Sequence, residues 1–377
     1  MRAALKKFLT ATPLLRPVFL VLHQLNRWYF AVKGLVFKIK AHVVTLIFIG
    51  RVVMPVLFRT RCRPVVFLRH MALGDVISTF PAALELKKRH PNTAFFYFCL
   101  PAFACLPRMG GVTNLVAWPP HVELIETKYA FLFTAIYKFV YHDEEGRSTS
   151  TESVIAEYCR QHGVTVTETH SQLAIAPALV AKVRSLLEKH GVRSDAPLIL
   201  IHPGPSWNVR EWPGESWSQL TRELVARNYQ QIIQLGSGKR GEVGTALDYK
   251  IPNVLSLVNQ LTLEEAIALI SLGDIFIGID SGLLHVAVSV RVPAIGIFGP
   301  TTPQLRFSVA SASSFVISGV DCQGCHHRVP RLHWQVNCPF EIKCMKSISA
   351  TQVLDRCLAL LSSRAANGKG LAAPARG

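Results

Sequence analysis

Read from its alternation of apolar and polar positions, the chain changes character near residue 63. Before that point lie three apolar stretches, Leu14 to Leu22, Trp28 to Phe37 and Val43 to Phe58, interrupted by Lys33, Lys38, Lys40 and Arg51. Charge-free runs are no longer than the one from Ala41 to Gly50, short of the roughly 20 apolar residues a spanning helix wants. The pattern predicts one or more amphipathic helices lying in a membrane interface, with Lys and Arg reaching out to the headgroups. A true span through Val43–Phe58 that carries Arg51 stays open, as does an ordinary helical extension. No short apolar core ends in an A-x-A-like site, so a cleaved signal peptide is not expected.

From Arg63 the pattern becomes α/β. Pro64 to Arg69 reads as a buried strand, Val76 to His90 as a helix, and Thr93 to Leu100 as the next strand. Weaker signals follow through Val112–Trp118 and Phe131–Tyr141, then a polar loop from Asp143 to Thr151. Val154 to His162 and residues 178–190 are helical patterns. Gly191 to Pro197 reads as a linker, and a second α/β unit follows it. Strands are expected at Leu198–His202, Gln231–Leu235, Val254–Leu257, Ile275–Ile279 and Pro293–Phe298. Helices are expected at Ser216–Arg227, Leu263–Leu272 and Leu283–Val290, with Thr262 and Glu265 placed as a capping box. Strands alternating with helices imply parallel, doubly wound sheets, in which ligands sit at the C-terminal strand ends. The predicted organisation is a leader, 1–62; a first Rossmann-like domain, 63–190; a second, 196–362; and a disordered tail, 363–377.

Charge sharpens this division. Of the formal net charge of +17, the thirteen Lys and Arg of residues 1–74, which include no Asp or Glu, account for all but +4. A basic apolar leader before a nearly neutral body argues against a nucleic-acid groove. It suits an anionic membrane surface, where each basic residue contributes about 1 kcal/mol.

Four motifs fall at predicted strand ends. In Arg69-His-Met-Ala-Leu-Gly-Asp75, Gly74 permits a tight turn. Asp75 is either a helix N-cap or a general base for an attacking hydroxyl. In His202-Pro-Gly-Pro-Ser-Trp-Asn-Val-Arg-Glu-Trp-Pro213, Gly204, Ser206 and Arg210 supply N–H groups, a hydroxyl and a cation suited to a diphosphate. A loop with two Trp, a Gly and an Arg favours a ligand over a plain surface turn. Gly236-Ser-Gly-Lys-Arg-Gly241 matches the dinucleotide pattern, but 249–263 contains no Asp or Glu to hold a ribose, so a nicotinamide site is rejected. In Ile279-Asp-Ser-Gly-Leu-Leu-His285, Ser281 and the N–H groups at Gly282 suit phosphate oxygens. Asp280 suits sugar hydroxyls, and His285 lies one turn further on. The hydrolase elbow G-x-S-x-G is not met.

Taken in order, Leu68-Arg-His-Met-Ala-Leu-Gly-Asp75 with Thr79-Phe-Pro81, His202-Pro-Gly, Arg210-Glu-Trp-Pro213, Asp280-Ser-Gly-Leu-Leu-His285 and Phe298-Gly-Pro-Thr301 resemble the signatures of glycosyltransferase family 9, the ADP-heptose:lipopolysaccharide heptosyltransferases. The resemblance covers about residues 64–360 and leaves out the leader. It implies a GT-B fold, an acceptor side in the first domain and a donor side in the second. It also implies inverting transfer of a sugar, heptose from ADP-heptose in the family, to a lipid-linked saccharide. Asp75 is then the base, beside Arg69 and Gly74. Arg210, where the family usually has Lys, stabilises the leaving diphosphate. His202, Gly204, Ser206, Asp280, Ser281, Gly282 and His285 line the donor site, with Glu242 at the nucleotide ribose and Thr302 at a position usually acidic. No cofactor is required. The implied place is the cytoplasmic face of the inner membrane. The readings set against transfer are a GT-B nucleotide-sugar epimerase and a non-catalytic, membrane-bound nucleotide-sugar-binding protein.

Nine cysteines are present. Cys62, Cys99, Cys105, Cys159 and Cys357 are scattered and read as small buried hydrophobes. Cys322, Cys325, Cys338 and Cys344 form a paired cluster that resembles one recurring in relatives. A structural zinc, aided by His326, His327 or His333, and reduced thiols are both open readings. Disulfides are not expected in a cytosolic enzyme.

Overall fold

The structure, a computed structural model, describes residues 16–70, 72–141, 152–167, 171–204, 206–238, 251, 253–307, 314–328 and 338–366. The chain divides into two compact units, Met1–Pro64 with Trp118–Ala135, and Val65–Ala117 with Ile136–Gly377.

In the first unit the leader is one unbroken helical rod. Helix α1, Arg16–Phe48, passes through a π-helical turn, Ile49–Val53, into α2, Met54–Thr60. The basic residues that interrupt the apolar pattern do not interrupt the helix, because Lys and Arg are good helix formers. The rod ends where Arg61 turns into the left-handed region, φ 55°. Ala41, Thr45, Ile49 and Val53 recur every fourth residue and are buried. Val32, Leu35, Val36, Ile39, Val43, Leu46 and Ile47 are exposed and share one arc of the helix at about 100° per residue. Residues 118–135 group with the rod. His42 Nδ1 is 3.0 Å from the Tyr129 hydroxyl, Phe37 meets His121 edge to face, and Arg63 Nη1 donates to the Phe131 carbonyl at 3.2 Å. The segment Val32–Thr60 is long and apolar enough to cross a bilayer by length and composition alone.

The second unit holds two parallel sheets. The first has β1 Val65–Leu68, β2 Phe95–Phe98, β3 Leu115–Ala117 and β4 Ala135–Lys138 in the order β3-β2-β1-β4. The second has β5 Leu198–His202, β6 Gln231–Gln234, β7 Leu255–Ser256, β8 Ile275–Ile279, β9 Ala294–Phe298 and β10 Ser314–Ile317 in the order β10-β9-β8-β5-β6-β7. Residues of β1, β5, β8 and β9 are buried throughout. That explains their unbroken apolar sequence, because a parallel sheet is covered on both faces.

Helices placing the site are α3 Leu73–Ser78 and α4 Phe80–Lys88 after β1, and α5 Val154–Gln161 after β4. With the second sheet run α6 Pro177–Lys189, α7 Gly214–Ala226, α8 Leu263–Leu272, α9 Gly282–Ser289, α10 Pro303–Arg306 and α11 Ala350–Ala366. The expected capping box of Thr262 and Glu265 is present on α8. Helix α6, expected to close the first half, packs instead on α8 of the second, with Lys182 Nζ 2.8 Å from Glu265. The tail expected from residue 363 continues α11 through Ala366; residues 367–377 lie outside the described residues.

Candidate active site

Each described motif follows the C-terminal end of a strand, where a parallel sheet presents its loops. Asp75 does not cap a helix. Helix α3 begins at Leu73, and its N-cap position is Ala72, which offers no side chain to the helix. The Asp75 carboxylate turns to Arg69 at the end of β1, with Oδ2 2.5 Å from Nη2. Arg69 is 3% exposed and also donates to the Phe139 carbonyl at 3.2 Å.

The first turns of α3 and α9 abut at two glycines. A Cβ on Gly74 would lie 2.5 Å from the His285 ring, and one on Gly282 would lie 2.8 Å from Leu73. Only glycine permits this approach, and it brings His285 beside Asp75. Burial pushes the His285 imidazole down to about 4, against the pull of Asp280 and Asp75. The ring is therefore uncharged at neutral pH.

Asp280 follows β8 and is buried. Burial alone would raise its carboxyl. Arg210 Nη1 at 3.4 Å, the nearby Arg306 and the Thr301 hydroxyl, which donates at 2.7 Å, outweigh burial and hold it well below the usual carboxylate range. The Arg210 guanidinium carbon lies over Trp207, 3.8 Å from the ring centroid, a contact that restricts its direction. The hydroxyl of Ser281 is buried with no hydrogen-bond partner among the described residues. An unpaired buried donor at a helix start fits a phosphate oxygen. Arg69, Arg210 and Arg306 face two carboxylates, Asp75 and Asp280. The excess cation suits an anionic ligand.

Other predicted residues serve the frame of the site. Burial pushes His202 down to about 4, so it is neutral, and its Nδ1–H donates to the Leu235 carbonyl at 2.9 Å. It ties the ends of β5 and β6 together. Gly204 adopts φ 147°, and a Cβ on Gly236 would lie 2.7 Å from its carbonyl. The Ser206 N–H is taken by Glu211 Oε1 at 3.0 Å, so Ser206 has its hydroxyl rather than its amide for a ligand. Glu242 and Lys239–Gly241 lie outside the described residues. The two Trp of the 202–213 loop serve different purposes. Trp212 is fully buried against Trp217, and its indole N–H donates to the Ile348 carbonyl at 2.9 Å. Only Trp207 remains with the charged groups.

Cys322, Cys325, Cys338 and Cys344 do converge. They line one small cavity with Val209, Pro300 and Phe340. Burial, then the neighbouring thiols, pushes Cys344 up to about 12. All nine cysteines are unbridged. As a donor set the four thiols suit zinc. Their arrangement does not: among the described residues no three His, Cys, Asp or Glu groups stand so as to hold a metal ion. His333 lies outside the described residues.

Sequence reasoning missed Arg306, Glu211 and Tyr141. Arg306 on α10 is buried, with Nη1 4.0 Å from Asp75 Oδ1, and its guanidinium lies 5.1 Å from the Tyr141 ring centroid. Its one sequence signal is an Arg in an apolar stretch just past Gly299-Pro-Thr301.

Two α/β halves with parallel sheets, meeting at the C-terminal ends of their strands, define the GT-B architecture of glycosyltransferases. The model of glycosyltransferase family 9 (heptosyltransferase) matches residues 132–334, more than half of the chain, and the chain belongs to that family. The lipooligosaccharide heptosyltransferase 2 of Haemophilus influenzae is 30% identical over 139 residues, 35% of this chain and 40% of that protein. The matched stretch is thus well under two thirds of that relative's length. Among solved structures, a family 9 glycosyltransferase of Veillonella parvula superposes with TM-score 0.62 at 16% identity, over 80% of this chain and 97% of its own. Escherichia coli ADP-heptose lps heptosyltransferase II gives 0.57 at 17%, over 80% and 99%. At those identities the likeness establishes the fold.

Proposed function

We propose that the protein is an inverting glycosyltransferase that moves heptose from ADP-heptose to a lipopolysaccharide-core or other lipid-linked saccharide. The observation that carries this reading is the close approach of α3 to α9 at Gly74 and Gly282, which sets His285 within reach of both Asp75 and Asp280. Residues 63–190 are read as the acceptor side and 196–362 as the donor side. Asp75 takes the proton of the acceptor hydroxyl. The hydroxyl oxygen attacks the anomeric carbon from the face opposite the diphosphate. The carbon–oxygen bond to the phosphate breaks, and its electron pair leaves with the nucleoside diphosphate. Arg210 and the Ser281 hydroxyl stabilise the charge that develops there. Asp280 directs Arg210 and accepts hydrogen bonds from the sugar. Neutral His285 packs beside the reacting centre without competing for the proton.

The leader is read as the membrane contact on the cytoplasmic face of the inner membrane. One side of the rod is buried at Ala41, Thr45, Ile49 and Val53, and the opposite arc is apolar and exposed. Such a helix lies in an interface rather than being ringed by lipid.

The test is transfer from ADP-heptose to heptose-deficient lipopolysaccharide by the wild type and by Asp75→Asn. Transfer should occur with inversion, and the variant should lose about 100- to 10,000-fold in kcat while still binding ADP. Undiminished transfer by Asp75→Asn sinks the mechanism. Donor turnover without acceptor indicates an epimerase, and nucleotide-sugar binding with neither transfer nor turnover indicates a non-catalytic protein.

A further inference from the structure

The buried guanidinium of Arg306 has no role in the mechanism above, yet it points at the base. It belongs to α10 of the donor half, while Asp75 belongs to α3 of the acceptor half. Arg69 already holds Asp75 Oδ2 at 2.5 Å; Arg306 Nη1 faces the other oxygen, Oδ1, at 4.0 Å. Two further contacts fix its direction. Nη2 lies 3.3 Å from His326 Nε2, which must act as the acceptor because a guanidinium has none to offer. The face of Tyr141 lies beneath its central carbon, 5.1 Å away. Arg306 is 8% exposed, so water and salt screen its field at Asp75 little.

We propose that Arg306 is a positioning residue for the base, reaching across from the donor half to hold the free oxygen of Asp75 in line with the acceptor hydroxyl. The proposal rests on the reading of Asp75 as base. Arg69 alone anchors one oxygen and leaves the carboxylate free to swing about that contact. A second cation, held by His326 and Tyr141, restricts the swing. Because the two cations come from different halves, the base is fully aligned only when the halves meet as they do at Gly74 and Gly282. A base displaced by an ångström loses much of its rate advantage while donor affinity stays. The rival role for Arg306 is a second clamp on the donor diphosphate, since it also lies close enough to act on Asp280 and His285.

The test compares Arg306→Gln, Arg306→Lys and Arg306→Ala in the full-length protein, with ADP-heptose and heptose-deficient lipopolysaccharide as substrates. Arg306→Gln should lower kcat by about 10- to 100-fold, with donor KM and the Kd for ADP changed by less than about threefold. Arg306→Lys should recover much of the loss, and added guanidinium ion should partly restore Arg306→Ala. Wild-type kcat in Arg306→Gln overturns the proposal. So does a loss confined to donor KM and ADP affinity, which assigns Arg306 to the diphosphate, or a loss that neither lysine nor guanidinium repairs. Asp75→Asn run alongside separates the two levels. If it retains transfer, the base assignment fails. If it is inactive while Arg306→Gln is normal, only the role of Arg306 fails.

Discussion

Arg210 and Asp280 show how the site stores charge where water is excluded. Each is nearly buried, with side-chain exposures of 12% and 4%, and their closest atoms are 3.4 Å apart. Removing one partner of such a pair costs about 3–5 kcal/mol, mainly because the other charge stays buried. Arg210→Met should therefore lower stability by an amount of that order, moderated by Arg306 nearby. Arg210→Met with Asp280→Asn should recover most of it, since Thr301 can still donate to the amide oxygen. Urea denaturation of the wild type and the two variants measures this. Equal stability of the single and double variants would mean that the pair is not coupled. The sequence placed both residues at strand ends and gave each a plausible ligand, because strand-end loops are local features. It did not show that they pair with each other, nor that Arg306 completes the group, because those contacts join separate βα units. The burial of Trp212 was not legible for the same reason, because the Ile348 carbonyl that its indole N–H meets is distant in sequence.

At the scale of elements, β1, β5, β8 and β9 were legible because each is buried throughout and so carries an almost unbroken apolar sequence. For the leader, one helix or several stayed open in the sequence because hydropathy and helicity are different properties. Lys33, Lys38 and Lys40 break an apolar run but extend a helix. What no periodicity announces is the contact between α3 and α9, which depends on two glycines. Gly74 is the sharper case, since a Cβ there would meet the imidazole of His285 at 2.5 Å. Gly74→Ala should cost about 1–3 kcal/mol through this overlap and should reduce transfer more than stability, because it pushes His285 and Asp75 apart. Combining it with His285→Ala should cost clearly less than the sum of the two single changes. A double-mutant cycle on denaturation free energies tests the coupling. Additivity within about 0.5 kcal/mol would show that the helices meet elsewhere.

For the molecule as a whole, the informative asymmetry is where the charge lies. Residues 1–74 carry +13 and include a helix with an exposed apolar arc, and the rest of the chain is close to neutral. A bilayer offers two forces to such a leader, headgroup attraction at about 1 kcal/mol per basic residue and burial of exposed side chains such as Trp28, Leu35 and Val43. They respond differently to salt, because the first is screened within about 10 Å at 0.1 M and the second is not. The protein should float with vesicles containing anionic lipid far better than with zwitterionic ones. Raising the salt should release much but not all of it, and deleting residues 1–62 should abolish flotation. The buried stripe from Ala41 to Val53 bears on topology as well. Lipid cannot surround a helix whose one side is covered by the His42–Tyr129 and Phe37–His121 contacts, so the rod should lie along one leaflet. Protease added outside sealed, protein-loaded vesicles should then leave no protected fragment of the leader. A protected piece of about 20 residues, with flotation indifferent to lipid charge and salt, would instead mean that the rod crosses the bilayer and that its contacts with residues 118–135 open on insertion.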